Sequence, residues 1–233
     1  MALIEFIDVV KEYGEGEHKI RAADKVSFEI EKGEFVIILG PSGAGKSTVL
    51  NLLGGMDQAT EGAIYVDGED ITKYDDSKLT SYRCSSVGFV FQFYNLIPTL
   101  TALENVALIK EIAKNAFEAK STLEMVGLAE HLNQFPAELS GGEQQRVSIA
   151  RAICKNPKLI LCDEPTGALD SETGVSILKL LQDMCRKNGQ TVIIVTHNSV
   201  LAPAADRVIK MKNGKINEQT INRSPIAVEE VNW

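Results

Sequence analysis

Three segments of the chain carry unbroken apolar runs: "FVIILG" (Phe35–Gly40), "KLILCDEP" (Lys158–Pro165) and "TVIIVTH" (Thr191–His197). A strand that is apolar at nearly every position is buried on both faces, as in a parallel sheet covered by helices. Between the last two runs, "SETGVSILKLLQDMCRKNG" sets Val175, Leu178 and Leu181 at helical spacing. It closes on Asn188-Gly189, a pair suited to capping a helix C-terminus. Strand, helix and strand in that order predict a parallel α/β sheet. The N-terminal part alternates instead: "LIEFIDVVKEY", "VSFEI" and "AIYVDGEDI" (Ala63–Ile71) read as half-buried strands. From about Pro98 to Asn156 the pattern turns helical through "ALENVALIKEIAKNAFEAKSTLEMVG", a loop near "NQFPAEL" and a run led by "SGGE". This segment reads as a helical insert between two strands. "RVIKMKNGKINEQ" predicts a hairpin around Asn213-Gly214. The tail "NRSPIAVEEVNW" shows little core potential of its own.

Composition narrows the function classes. A chain of 233 residues can bury a sizeable core, and 44% hydrophobic with 24% charged residues is ordinary for a globular protein. The net charge of -8 disfavours direct nucleic-acid binding, which leaves a basic footprint. Phosphate binding must then come from local geometry and a few placed cations. Cys84, Cys154, Cys162 and Cys185 are scattered without CxxC spacing and read as reduced, mostly buried thiols. The opening "MALIEFIDVVKEYGEG" has acids where a signal peptide needs an apolar stretch, and the apolar runs are too short to span a bilayer. A cytoplasmic protein is expected, with any membrane role borrowed from a partner.

Several features carry chemistry. "GPSGAGKST" (Gly40–Thr48) satisfies GxxxxGK(S/T), follows a predicted strand and precedes the apolar helix "TVLNLLGG". Gly40, Gly43 and Gly45 let the backbone wrap a phosphate, with Pro41, Ser42 and Ala44 completing the loop. Lys46 reaches the β- and γ-phosphates, and Ser47 supplies a hydroxyl to Mg²⁺. The strand "LILCDE" delivers Asp163 and Glu164 to its C-terminal end, where parallel sheets bind ligands. Beside a phosphate loop, Asp163 suits Mg²⁺ and Glu164 suits a base for water, although such acid pairs also end ordinary surface strands. His197 ends a strand and can face a γ-phosphate or be structural. Gln92, in "FVFQFYNL", can coordinate Mg²⁺ or merely close a strand. Phe93, Tyr94, Leu96 and Ile97 beside Pro98 read either as core or as an apolar groove for a partner. Finally, "ELSGGEQQRVSIARA" (Glu138–Ala152) starts a helix with a serine and two glycines, a second anion-friendly helix terminus far from the first.

Taken together, these motifs closely resemble the nucleotide-binding subunit of an ATP-binding cassette (ABC) transporter, over essentially the whole chain. "GPSGAGKST" resembles its Walker A loop, "LILCDEP" its Walker B strand, Gln92 its Q-loop and His197 its switch histidine. "GALDSET" with Asp170 resembles the D-loop, and Tyr13 in "KEYGEG" the aromatic residue that stacks on adenine. "LSGGEQQRV" is similar to the family's own signature. The resemblance implies a P-loop NTPase (RecA-like) parallel-sheet core, an N-terminal antiparallel β subdomain and a helical subdomain inserted at about 98–156. All of this forms one domain over 1–233, with 221–233 as a tail. "GFVFQFYNLIPTLTALENV" and "LNLLGGMD" further resemble the group serving MacB-, LolD- and FtsX-type permeases. Ala44 stands where many members have serine, a position whose contacts are mainly through the backbone.

The resemblance also gives the second helix terminus a task. It implies that two copies dimerise head-to-tail around two Mg-ATP. Ser140, Gly141, Gly142 and Glu143 of each copy then meet the ATP held by the other. It further implies coupling of Phe93, Tyr94, Leu96 and Ile97 to an FtsX/MacB-type permease that exports or extracts peptide, lipoprotein, antibiotic or macrolide-like cargo. The subunit would sit at the inner face of the cell membrane. A mechanotransmission ATPase that regulates an extracytoplasmic enzyme is the alternative within the class. A soluble ABC ATPase acting on DNA or the ribosome predicts a long coiled-coil insertion or tandem cassettes, and the sequence has neither. An inactive cassette conflicts with Lys46, Asp163, Glu164 and His197 occurring together.

Overall fold

In a computed structural model that describes residues 2–113 and 116–231, the apolar runs meet in one six-stranded sheet. Strand β3 (Phe35–Leu39) lies between β8 (Thr191–Thr196) and β9 (Arg207–Lys212). β7 (Leu159–Asp163) and β6 (Val87–Val90) follow beyond β8, and all of these neighbours pair in parallel. β10 (Lys215–Ile221) closes the other edge antiparallel to β9, and Asn213 and Gly214 both take positive φ in the connecting turn. Every residue of β3 and β8 is buried, which is why neither sequence alternates.

The alternating N-terminal runs form a separate antiparallel sheet. Here β1 (Ala2–Tyr13) lies between β2 (Ile20–Glu31) and β4 (Glu61–Val66), with β5 (Glu69–Asp70) at the edge. The run "AIYVDGEDI" is thus a hairpin and not one strand. Asp67 and Gly68 both adopt positive φ, the turn that an Asp-Gly pair favours. The inner face of this sheet packs with Val36 and Ile38 of β3 and with helix α1 (Lys46–Leu53) in one apolar cluster. Helix α2 (Asp76–Ser85), capped by Asp75, has only Leu79 and Tyr82 buried, too faint a stripe to read from sequence.

Helices α3 (Ala102–Ala107), α4 (Ala119–Met125) and α5 (Gly141–Cys154) lie in the chain between β6 and β7. The long helical reading from Ala102 to Gly127 is broken into two short helices, and its residues Lys114 and Asn115 lie outside the described residues. Helix α6 (Ser171–Asn188) ends, as its sequence predicts, on Gly189 in the left-handed conformation. The tail departs from expectation. Val228 and Val231 are buried in the main core, and the Val228 N–H donates to Gln182 Oε1 on α6 at 3.1 Å. Two valines three residues apart suffice once a turn directs them inward. Asn232 and Trp233 lie outside the described residues. Cys154, Cys162 and Cys185 are buried and Cys84 half-buried, all as free thiols.

Candidate functional site

The site is built where β3 runs into α1. Gly45, at φ 95, precedes the helix in a left-handed conformation, and a Cβ there would lie 2.2 Å from the Ala22 carbonyl oxygen. No larger residue fits that turn. Lys46, the first helical residue, is mostly buried and its Nζ donates to the carbonyls of Gly40 (2.8 Å) and Pro41 (3.1 Å). Pro41 through Thr48 line one wall of a cleft of ≈ 1030 Å³, and Gln92, Asp163, Glu164 and His197 line it as well. Four segments far apart in sequence therefore converge, because β3, β8, β7 and β6 deliver their C-terminal ends to one edge of the parallel sheet.

On the cleft floor Ser47 Oγ donates to Asp163 Oδ1 at 3.2 Å. Burial raises the Asp163 carboxyl above the ordinary range; the Ser47 hydrogen bond opposes this, the Glu164 charge adds to it and Lys46 opposes it. A hydroxyl, a carboxylate and the nearby Gln92 amide form an all-oxygen donor set that fits Mg²⁺. Among the described residues no group of three His, Cys, Asp or Glu side chains could hold a metal ion.

Glu164 sits at φ 47, a strained conformation for a residue with a Cβ. It is pinned there on all sides. Its N–H donates to the Val195 carbonyl, and its Oε2 accepts from Thr196 Oγ1 at 2.9 Å. Its Oε1 accepts from the His197 N–H at 3.0 Å and lies 2.9 Å from His197 Nδ1. A carboxylate and a largely exposed imidazole thus face the phosphate loop as a fixed pair.

Tyr13 stands beside this cleft. Its hydroxyl donates to Asp57 Oδ2 at 2.6 Å and reaches the Thr48 side chain, while Lys11 Nζ lies 4.9 Å from the ring centroid. Burial, and then the Asp57 contact, push the phenol above its ordinary value. The groove residues divide. Phe93 is 73% exposed and lines the cleft, Ile97 is exposed, Leu96 packs on the main core, and Tyr94 is half-buried with its hydroxyl near Gly141.

A sequence profile described as ABC transporter matches residues 23–167. The chain belongs to the ABC transporter family. An uncharacterized ABC transporter ATP-binding protein of Mycobacterium tuberculosis is 46% identical over 209 residues, 88% of this chain and 84% of the relative. The lipoprotein-releasing system ATP-binding protein LolD of Geobacter metallireducens is 43% identical, over 92% of this chain and 98% of that one. The macrolide export ATP-binding/permease protein MacB of Mannheimia succiniciproducens is 42% identical over 94% of this chain but only 35% of its own length. An ATP-binding cassette of Methanocaldococcus jannaschii, solved as a dimer in a post-hydrolysis state with ADP and Pi, matches with a TM-score of 0.87 at 43% identity. That match covers 95% of this chain and 99% of the other. The chain is accordingly an ABC ATPase.

In this ABC ATPase the signature lies apart from the cleft, since none of Ser140, Gly141, Gly142 and Glu143 is among its lining residues. Ser140 caps α5 in a reciprocal box. Its Oγ accepts from the Glu143 N–H, and Glu143 Oε2 accepts from the Ser140 N–H at 2.7 Å. These hydrogen bonds hold the Glu143 carboxyl below its usual range. Asp170 caps α6 by accepting from the Thr173 N–H. Sequence reading missed Thr196, which orients Glu164, and Asp57, which tethers Tyr13. It also missed Gln145, a fully buried glutamine on α5. Only Gln145 left a signal: it is a polar residue on the buried stripe that continues through Ile149 and Ala152.

Proposed function

We propose that residues 1–233 form one cassette, with the helical segment 98–156 as its signature subdomain. Two copies would close head-to-tail around two Mg-ATP to drive an FtsX/MacB-type permease from the cytoplasmic side. The observation that carries this reading is the split just described. The phosphate loop shares its cleft with the oriented carboxylate, whereas the signature terminus opens outside it. A second copy supplies what the cleft lacks.

In this reading Gly40–Thr48 wrap the phosphates, Tyr13 offers a ring face to adenine, and Lys46 leaves its loop carbonyls for the β- and γ-phosphates. Mg²⁺, when bound, is held by Ser47, Asp163 and Gln92 and neutralises phosphate charge. Glu164 accepts a proton from the attacking water as its oxygen bonds to the γ-phosphorus and the bond to ADP breaks. His197 and Lys46 stabilise the charge that develops on the transferred group. Ser140 and the Gly141 and Gly142 N–H groups of the opposite copy complete its surroundings, with Glu143 shaping the terminus and Asp170 at the seam. Among the described residues no helix is long and apolar enough to cross a membrane, and in this reading the permease provides the spans. Phe93, Tyr94, Leu96 and Ile97 are assigned to its docking. The LolD relative is named for lipoprotein release and the MacB relative for macrolide export, which supports lipoprotein or macrolide-like cargo.

The test is a mixing experiment. Ser140→Arg abolishes turnover while the chain still binds ATP, and mixing it with Lys46→Ala restores part of the activity, because one composite site in the mixed dimer is intact. Full turnover by Ser140→Arg alone, or no recovery on mixing, contradicts the shared-site reading.

A further inference from the structure

Gln145 stands one turn into α5, four residues after Gly141, and is completely buried. Its side chain leaves its own helix. Nε2 donates to the Pro165 carbonyl at 2.8 Å and, through a longer bond of 3.3 Å, to the Phe91 carbonyl. Pro165 directly follows Glu164, and Phe91 directly precedes Gln92. One amide therefore ties the helix begun by Ser140 to the backbone beside both residues assigned to water and metal.

The two loops it bridges also touch. The turn from Glu164 closes with the Gly167 N–H donating to the Glu164 carbonyl at 3.0 Å, and a Cβ on Gly167 would lie 2.9 Å from Gln92 Nε2. Glu164 opens this turn in its strained φ, so a donor on the Pro165 carbonyl holds the conformation that aims the carboxylate. The arrangement carries a cost. Gln145 Oε1 is buried with no hydrogen-bond partner among the described residues, and a half-satisfied amide is a poor way to fill a core. A methionine would fill the same volume without that penalty. What only the glutamine supplies is its pair of donors.

We propose that Gln145 is a positioning residue. It links the signature helix to the Glu164 turn and to Gln92, so that contact made by Ser140 with the opposite ATP sets both groups for hydrolysis. The inference rests on the shared-site reading above. Gln145 touches no nucleotide and acts only through its two carbonyl partners. Coupling by a short, fully packed contact of this kind passes a shift of the helix directly to the loops.

Gln145→Met keeps the volume and removes both donors. ATP hydrolysis per titrated ATP site falls at least about tenfold, the cost of sub-ångström misplacement of reacting groups. The ATP dissociation constant and KM stay close to wild type. A merely structural role predicts the opposite split, with fewer competent sites at unchanged turnover per site. The loss is also less than additive with Gln92→Ala, because part of it runs through Gln92, so the double variant is slowed by less than the product of the two single effects. Gln145→Asn, which keeps the amide but shortens its reach, gives the same reading should the methionine variant not fold. Wild-type turnover per site, or a fully additive loss, overturns the inference. If Ser140→Arg is inactive while Gln145→Met turns over normally, this inference alone fails. If Ser140→Arg hydrolyses ATP normally, the reading beneath it fails.

Discussion

Burial raises the Asp163 carboxyl above the ordinary range against the pull of its Ser47 hydrogen bond, and the adjacent Glu164 charge raises it further. The folded chain thus holds that proton more tightly than the unfolded chain. Ionised Asp163 costs stability above its folded pKa, and the cost fades as pH falls through it. Asp163→Asn removes the charge while its side-chain oxygen can still accept from Ser47. At pH 7 without nucleotide this variant melts roughly 2–4 °C higher than wild type, and calorimetry shows the gap closing as pH is lowered. Its Mg²⁺-dependent ATPase is lost. A variant that melts lower at pH 7, or keeps its activity, speaks against this role. Lys46, Ser47, Asp163 and Glu164 were legible in the sequence because the phosphate loop binds through local backbone shape and the two acids end an unmistakable buried strand. Thr196 was not, because it meets Glu164 through the pairing of β7 with β8, a register that the sequence does not write out.

Helix packing sets the signature. A Cβ on Gly142 would lie 2.4 Å from Thr173 Cγ2, so this glycine is what lets α5 approach the first turn of α6. Gly142→Ala overpacks that contact and costs about 1–3 kcal/mol in urea unfolding. Thr173→Ser removes the offending methyl, and in the double variant most of the loss is recovered. If the serine gives no recovery, the contact is not the cause. Gly141 differs, because the one close approach of a Cβ there is to the terminal hydroxyl of Tyr94 at 2.8 Å, with Leu169 Cδ2 at an ordinary 3.5 Å, so Gly141→Ala is milder. At this scale the buried strands, α6 and the Asn213-Gly214 hairpin were legible from periodicity and turn chemistry. Helix α2 and the broken α3–α4 segment were not. The first has too few buried positions, and in the second helical spacing continues across a break that it does not mark.

For the whole molecule, the tail and the proposed sharing of the site between two copies matter most. Gln182 Nε2 donates to the carbonyls of Ala204 and Ile226 while its Oε1 accepts from Val228, which binds the tail to α6 and to the segment after His197. Deleting residues 223–233 exposes the places of Val228 and Val231 and leaves that buried amide short of partners. A loss of roughly 3–6 kcal/mol follows from two buried valines alone, measured by urea unfolding. An unchanged midpoint refutes the tail's part in the core. The tail was illegible because its contribution lies in where α6 receives it, whereas the family was legible from motif order. The central claim is that one chain holds only half of each ATP site. Size-exclusion chromatography with light scattering on Glu164→Gln, with and without ATP and Mg²⁺, tests it most directly. The account predicts a monomer without nucleotide and a stable dimer with it, while a monomer at saturating ATP contradicts it.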